Sequence, residues 1–140
     1  MSTPSFPLSP RATVGGFFYL PRMLEKIRQH ARGALHPDYH ANLGLGMDAR
    51  LCRFLQVDYA AIQALVNAGQ SDEDVLAWCD SQGRRLVAED AVVWNGFVSK
   101  RGWHDEASPL LAKYKADAGL ADRADIVTFF DLFDAEEGRS

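Results

Sequence analysis

The stretch Leu20-Pro21-Arg22-Met23-Leu24-Glu25-Lys26-Ile27-Arg28-Gln29-His30-Ala31-Arg32-Gly33 constrains the fold more than any other. Pro21 sits where a first helical residue belongs, because its missing N–H has no intrahelical partner there. Leu20, Met23, Leu24, Ile27 and Ala31 recur on one side of a 3.6-residue period, which predicts an amphipathic helix. Arg22, Glu25, Lys26, Gln29 and Arg32 fall elsewhere and predict a charged outer face. Gly33 is placed to end the helix. Upstream, Gly15 and Gly16 open a flexible approach through Phe17, Phe18 and Tyr19.

The rest of the chain repeats this pattern of capped helical segments. Asp48 reads as the N-cap of a short helix with Leu51, Phe54 and Leu55 inside. Asp58 caps the next, ending at Gly69, and Ser71 opens a fourth with an acidic first turn. Val87, Ala91, Trp94 and Val98 carry a fifth helix from about Leu86 to Arg101. Ser108 reads as the N-cap and Pro109 as the first position of a sixth, ending near Gly119. Asp122 to Asp125 start a seventh, with Ile126, Phe129, Phe130 and Phe133 on its apolar face. Alternating strand patterns of useful length and internal repeats are both missing. The expectation is therefore an all-α fold: one compact orthogonal bundle of about seven helices, the first and last near its centre. It is expected to form a single helical domain over residues 1–140. Met1 to Thr13, with three prolines, forms an extended arm, and residues 135–140 form a polar tail.

Composition narrows the function classes. With 140 residues, 47% apolar and 24% charged, the chain fits an ordinary globular protein. No apolar run reaches the length of a membrane span, and the N-terminus does not read as a signal peptide. Cys52 and Cys79 form no CxxC pair, so a reduced, cytoplasmic protein is expected. Residues 1–56 carry seven Lys/Arg against three Asp/Glu, and the remainder carries eight against sixteen. Two halves of opposite charge predict mutual packing, with an anion site in the first half as the sharper reading. Without a dense basic run or a nucleic-acid motif, nucleic-acid binding is not expected.

Several segments resemble a bacterial family classed as a domain of unknown function. They are Leu8-Ser9-Pro10-Arg11, Val14-Gly15-Gly16, and above all Leu20-Pro21-Arg22-Met23-Leu24-Glu25-Lys26-Ile27-Arg28. Tyr39-His40-Ala41-Asn42-Leu43-Gly44, Arg53-Phe54-Leu55, Trp94-Asn95-Gly96-Phe97 and Asp125-Ile126-Val127-Thr128-Phe129-Phe130-Asp131 continue it in order. The resemblance implies a small helical bacterial protein and lends no catalytic residue, cofactor or substrate.

Candidate chemistry gathers in two places. Residues 34–46 form the longest non-periodic stretch, and such loops are often functional. Within it, His36, Asp38 and His40 alternate, and in an extended segment they could converge on a metal. The simpler reading has these histidines capping a helix or meeting a backbone carbonyl, so no metal site is assigned. His40 is also a possible general acid or base. The glycine-rich run from Asn42 to Asp48 leads into a helix and could cradle an anion, with Arg50 and Arg53 one turn inside. It lacks the lysine and preceding strand of a phosphate loop. The second place is the first helix, where Arg22 and Lys26 lie one turn apart and could hold a carboxylate or phosphate. Pairing with Glu25 or the acidic second half is the simpler alternative.

Few residues separate Gly33 from Asp48, and Leu35, Leu43 and Leu45 need apolar cover. The loop is therefore expected to fold over the first helix, bringing Tyr39, His40 and Asn42 near Arg22 or Lys26. Trp78, Trp94 and Trp103 read as core or half-buried anchors, Asp131 and Asp134 as partners of arginines such as Arg11 or Arg22, and the cysteines as buried thiols. No catalytic residue and no cofactor is assigned. The leading expectation is a non-catalytic binding or protein-interaction module. The alternative is a protein or enzyme that takes a small anionic ligand through Arg22, Lys26, Tyr39, His40, Asn42 and Arg50.

Overall fold

The structure is a computed structural model and describes residues 6–139; residues 1–5 of the expected arm and Ser140 lie outside it. After the arm, Thr13–Val14 (β1) and Phe17–Phe18 (β2) pair antiparallel, Thr13 opposite Phe18 and Val14 opposite Phe17. Gly15 and Gly16 turn the chain between them at φ 57 and 84, a conformation open to glycine and costly for side chains. With two residues each, these strands are too short to leave an alternating pattern in the sequence.

Seven α-helices follow among the described residues: α1 Leu20–Ala31, α2 Met47–Leu55, α3 Tyr59–Asn67, α4 Asp72–Gln82, α5 Ala88–Val98, α6 Ser108–Asp117 and α7 Phe129–Glu136. A 3₁₀ helix, Pro37–Asn42, occupies the middle of the stretch expected to be irregular. The helical fold stands as expected, with the small hairpin added. No helix among the described residues is long and apolar enough to cross a membrane.

Helix α1 buries Leu20, Met23 and Leu24 completely and packs against α3 and β1. Leu51 and Leu55 of α2, Ile62 of α3, Val75 and Cys79 of α4, Trp94 and Val98 of α5 and Phe130 of α7 complete the same core. A smaller apolar cluster joins Leu111 of α6 to Ile126, Phe129 and Leu132 around α7. Helix α5 is fastened to the hairpin by polar groups. Asn95 Oδ1 accepts from Phe18 N–H at 2.9 Å, Asn95 Nδ2 donates to Gly16 O at 2.7 Å, and Trp94 Nε1 donates to Phe18 O at 2.8 Å. The hairpin's exposed edge thus meets an asparagine amide and an indole in place of a third strand.

Four boundaries differ from expectation, each for a local reason. Helix α7 begins at Phe129, because Thr128 and Asp131 cap it reciprocally. Ahead of it the Val127 and Thr128 N–H groups donate to the Asp131 carboxylate, and Lys115 Nζ donates to the carbonyls of Arg123 and Ile126, at 2.8 and 2.9 Å. Helix α5 begins at Ala88 because the Asp90 carboxylate accepts from Val87 N–H. Ser108 is the first residue of α6 and no cap: its hydroxyl donates to Gly102 O and accepts from Asp105 N–H. Asp48, expected to be the N-cap, is the second residue of α2 and fully buried, with Gly46 in the capping position. Of the three tryptophans, Trp94 is core, while Trp103 is half exposed.

Candidate functional site

The charged outer face expected of α1 is only partly outside: Glu25 pairs there with Arg28 and the exposed Arg32. Arg22, Lys26 and Gln29 are buried, and each faces a polar partner supplied from a distance. Arg22 grips the Glu137 carboxylate with both terminal nitrogens, at 2.8 and 2.7 Å, and donates to Leu8 O at 2.9 Å. The Tyr39 hydroxyl donates to the same carboxylate, and Arg139 closes on it from another side. The Arg22 guanidinium lies 4.7 Å from the centre of the Phe133 ring and 5.7 Å from that of Tyr39. Burial opposes the charge on Arg22, yet Glu137 outweighs it and holds the pKa above the ordinary arginine value. Burial and the Glu137 carboxylate together push the Tyr39 hydroxyl up.

This arrangement corrects the polar tail. The Glu137 side chain is fully buried, and Arg139 ties Asp134 and the Pro7 carbonyl to it. Arg11 of the arm bridges Asp131 at 2.8 Å and Asp134 at 2.5 Å, as expected for those two aspartates. Arm and tail therefore close over one end of α1 through a single connected set of ion pairs.

Lys26 has its own partner one turn further along. Its Nζ lies 2.7 Å from Asp48 Oδ1 and 3.0 Å from the Tyr19 hydroxyl, which donates to the same oxygen at 2.6 Å. The second carboxylate oxygen accepts from Gly44 N–H at 3.0 Å. Burial lowers the Lys26 pKa against the pull of Asp48, and burial with Asp48 raises that of Tyr19 well above its ordinary value. Tyr19 holds a left-handed backbone at φ 76 just before α1, a strained state for an aromatic residue that the phenol's anchorage offsets. An external anion at Arg22 and Lys26 is thus forestalled from within: each cation already has a buried carboxylate.

The loop from residue 36 onward folds partly as expected. Tyr39 reaches Arg22 through Glu137. His40 does not join them; its Nε2 lies 3.0 Å from Leu35 O, and its ring packs edge-on to His30 at 4.8 Å. His36 Nδ1 accepts from Asp38 N–H and caps the 3₁₀ helix. The extended backbone needed to converge His36, Asp38 and His40 on a metal is replaced by that helix, and no group of three or more metal-ligating side chains occurs among the described residues.

Asn42 and Arg50 both line a cleft of about 380 Å³ walled by α2, α5, α6 and α7. Helix α2 contributes Met47, Arg50 and Arg53, and α5 contributes Phe97 and Val98, with Arg101 just beyond its end. Leu110 and Tyr114 from α6 and Phe129 and Phe133 from α7 make the facing walls, and Tyr19 is also part of the lining. Arg50 and Arg101 each place a guanidinium 5.5 Å from the centre of the Phe97 ring. Arg101 is paired with Glu106 at 2.8 Å. Arg50 and Arg53 are exposed, and their side chains make neither ion pair nor hydrogen bond among the described residues. Reading the sequence misses Arg101, Tyr114, Phe129 and Phe133 as a wall, because each scans as ordinary helix. Only the pair Arg50 and Arg53, one turn apart, leaves a local signal.

The fold and its cleft define a small α-helical protein with a capped, internally neutralised first helix. Residues 4–139 match the family described as a domain of unknown function, DUF5069, and the chain belongs to that family. No curated protein matches it.

Proposed function

We propose that this chain is a non-catalytic binding protein for a small ligand with an anionic head and an apolar or aromatic body. The observation that carries this reading is the pair Arg50 and Arg53, whose guanidinium groups have no carboxylate or hydrogen-bond partner among the described residues, beside a cleft whose other walls are mainly apolar and aromatic. Guanidinium groups bind carboxylate and phosphate through paired, charge-assisted hydrogen bonds. Concave apolar sites of about 300–1,000 Å³ with a few polar groups are the usual form of small-molecule sites. The cleft takes over the anion role that reading the first half of the sequence gave to Arg22 and Lys26, keeping Asn42 and Arg50 from the expected set.

A binding role is favoured over catalysis by how the nearby titratable groups are spent. The Tyr19 hydroxyl is bonded to Asp48 and Lys26, and Asp105 and Glu106 face Arg101. We place the protein in the bacterial cytoplasm as one domain, supported by two free, buried cysteines. A small anion suits it better than nucleic acid, given its net charge of −4.

Calorimetric titration and thermal shift with aryl carboxylates, aryl phosphates and their neutral analogues test the reading. An anionic compound should raise the melting temperature where its neutral analogue does not. Arg50→Ala should then weaken binding roughly 10–100-fold, the loss expected for a hydrogen bond to a charged group. Equal response to neutral and anionic compounds, or binding indifferent to both arginines, overturns it.

A further inference from the structure

Helix α5 carries a face that nothing among the described residues covers. Val92 and Val93 are 64% and 56% exposed in mid-helix, and Gly96 one turn on is exposed as well. Glu89 precedes them on the same face and Lys100 follows. Both are exposed, and neither makes an ion pair among the described residues. Ser99 keeps right-handed helical torsions after Val98, so Lys100 stays in register with the face. Glu89, Val93, Gly96 and Lys100 therefore form a straight stripe, acidic at one end, basic at the other and apolar between.

Gly96 has no reason inside the fold. Its φ is not in the left-handed region, and a Cβ built there would meet nothing within 4 Å. Glycine in a helix interior weakens the helix, and its usual compensation is the close approach of another backbone. End charges of these signs suit the helix dipole, but that accounts for neither the exposed valines nor the glycine.

We infer that this face of α5 pairs with the same face of a second copy of the chain, antiparallel, about a twofold axis between Trp94 and Asn95. That one axis sets Val93 of each protomer over the partner's Gly96, so the valine methyls fill the space a missing Cβ leaves. The same axis brings Glu89 of each protomer opposite the partner's Lys100, giving two ion pairs at the ends of the contact. Self-complementarity of this kind is what an isologous interface requires. A heterologous partner would need to match an acidic end, a notch and a basic end that the chain already matches by itself. A single helix pair covers less than the ~800 Å² per partner of a standard interface, so the dimer is concentration-dependent.

Sedimentation equilibrium of the full chain from low micromolar to near-millimolar concentration tests this, with circular dichroism confirming that each variant is folded. The wild type should pass from monomer to dimer across the range. Glu89→Lys and Lys100→Glu should each weaken association tenfold or more, and the double exchange should restore it, which a change in net charge alone cannot do. Gly96→Ala should raise the melting temperature of the monomer while weakening the dimer. A chain that stays monomeric throughout leaves the face to a different partner and overturns the inference. A dimer indifferent to both single charge reversals overturns it equally.

Discussion

Arg22 and Glu137 stand 115 residues apart in the chain and meet in a two-pronged ion pair with both side chains buried. The guanidinium is also stacked on Phe133 and Tyr39, so the first helix and the last residues of the chain are joined at one polar centre inside apolar surroundings. Desolvating two charges is unfavourable, and the pair persists because its remaining polar valences are met by Leu8 O, the Tyr39 hydroxyl and Arg139.

Removing one member should therefore cost far more than removing both. Glu137→Ala leaves a buried guanidinium without its carboxylate and should destabilise the fold by about 3–5 kcal/mol in urea unfolding. Arg22→Met with Glu137→Leu should recover a large part of that loss. A Glu137→Ala variant within about 0.5 kcal/mol of wild type would show the tail to be merely resting on α1.

Strong acid should loosen the arm. Burial raises the Asp131 pKa, but the Val127 N–H, Arg11 and Thr128 outweigh it and hold the carboxyl below its ordinary value. Between that depressed value and the ordinary one, the folded group binds fewer protons than the unfolded group, so stability falls as pH falls. The contribution is complete above the ordinary carboxylate range and is lost as the pH drops through the folded pKa. Arg11→Ala should raise the Asp131 pKa in an NMR titration and move acid unfolding to higher pH. An Asp131 that titrates identically in both proteins would remove Arg11 from its account.

Legibility in the sequence divides by the range of the interaction. Helix α1 could be read because Pro21, the apolar stripe and Gly33 all act within its own length. Ser71 could be read as a cap for the same reason, and its hydroxyl accepts from Asp74 N–H. The start of α7 is set just as locally, by the reciprocal cap of Thr128 and Asp131, and placing the cap at Asp122 to Asp125 passes over it. Lys26 and Arg22 looked solvated because helical periodicity records which face a residue is on. It does not record that Asp48 and Glu137 will arrive to neutralise them. The cleft was half legible: Asn42, Arg50 and Arg53 are local, while its aromatic wall is assembled from α5, α6 and α7.

The two thiols should be inert in the native state. Burial pushes Cys52 up to about 12 and Cys79 up to about 11, with Asp48 adding to the effect at Cys52. The thiolate is the reacting form, so almost none is present near neutral pH. A chromogenic disulfide reagent should titrate no thiol quickly in buffer and both in denaturant. Rapid stoichiometric labelling of the folded protein would contradict this placement of the cysteines.

The turn between β1 and β2 gives the sharpest local test. Gly15 combines a left-handed φ of 57 with a side-chain position already occupied by Leu76 of α4. Gly15→Ala must therefore bear the left-handed strain, about 1–2 kcal/mol for an L-residue, and displace Leu76 as well. Gly16, at φ 84, faces open space apart from Ala91 at 3.8 Å, so Gly16→Ala bears the strain alone. The expected order in thermal or urea unfolding is wild type, then Gly16→Ala, then Gly15→Ala. Pairing Gly15→Ala with Leu76→Ala separates the two terms: the clash disappears, some apolar contact is lost and the strain remains. If Gly15→Ala alone were no worse than Gly16→Ala, the Leu76 methyl would be giving way without cost, and the left-handed strain alone would set the penalty at both glycines.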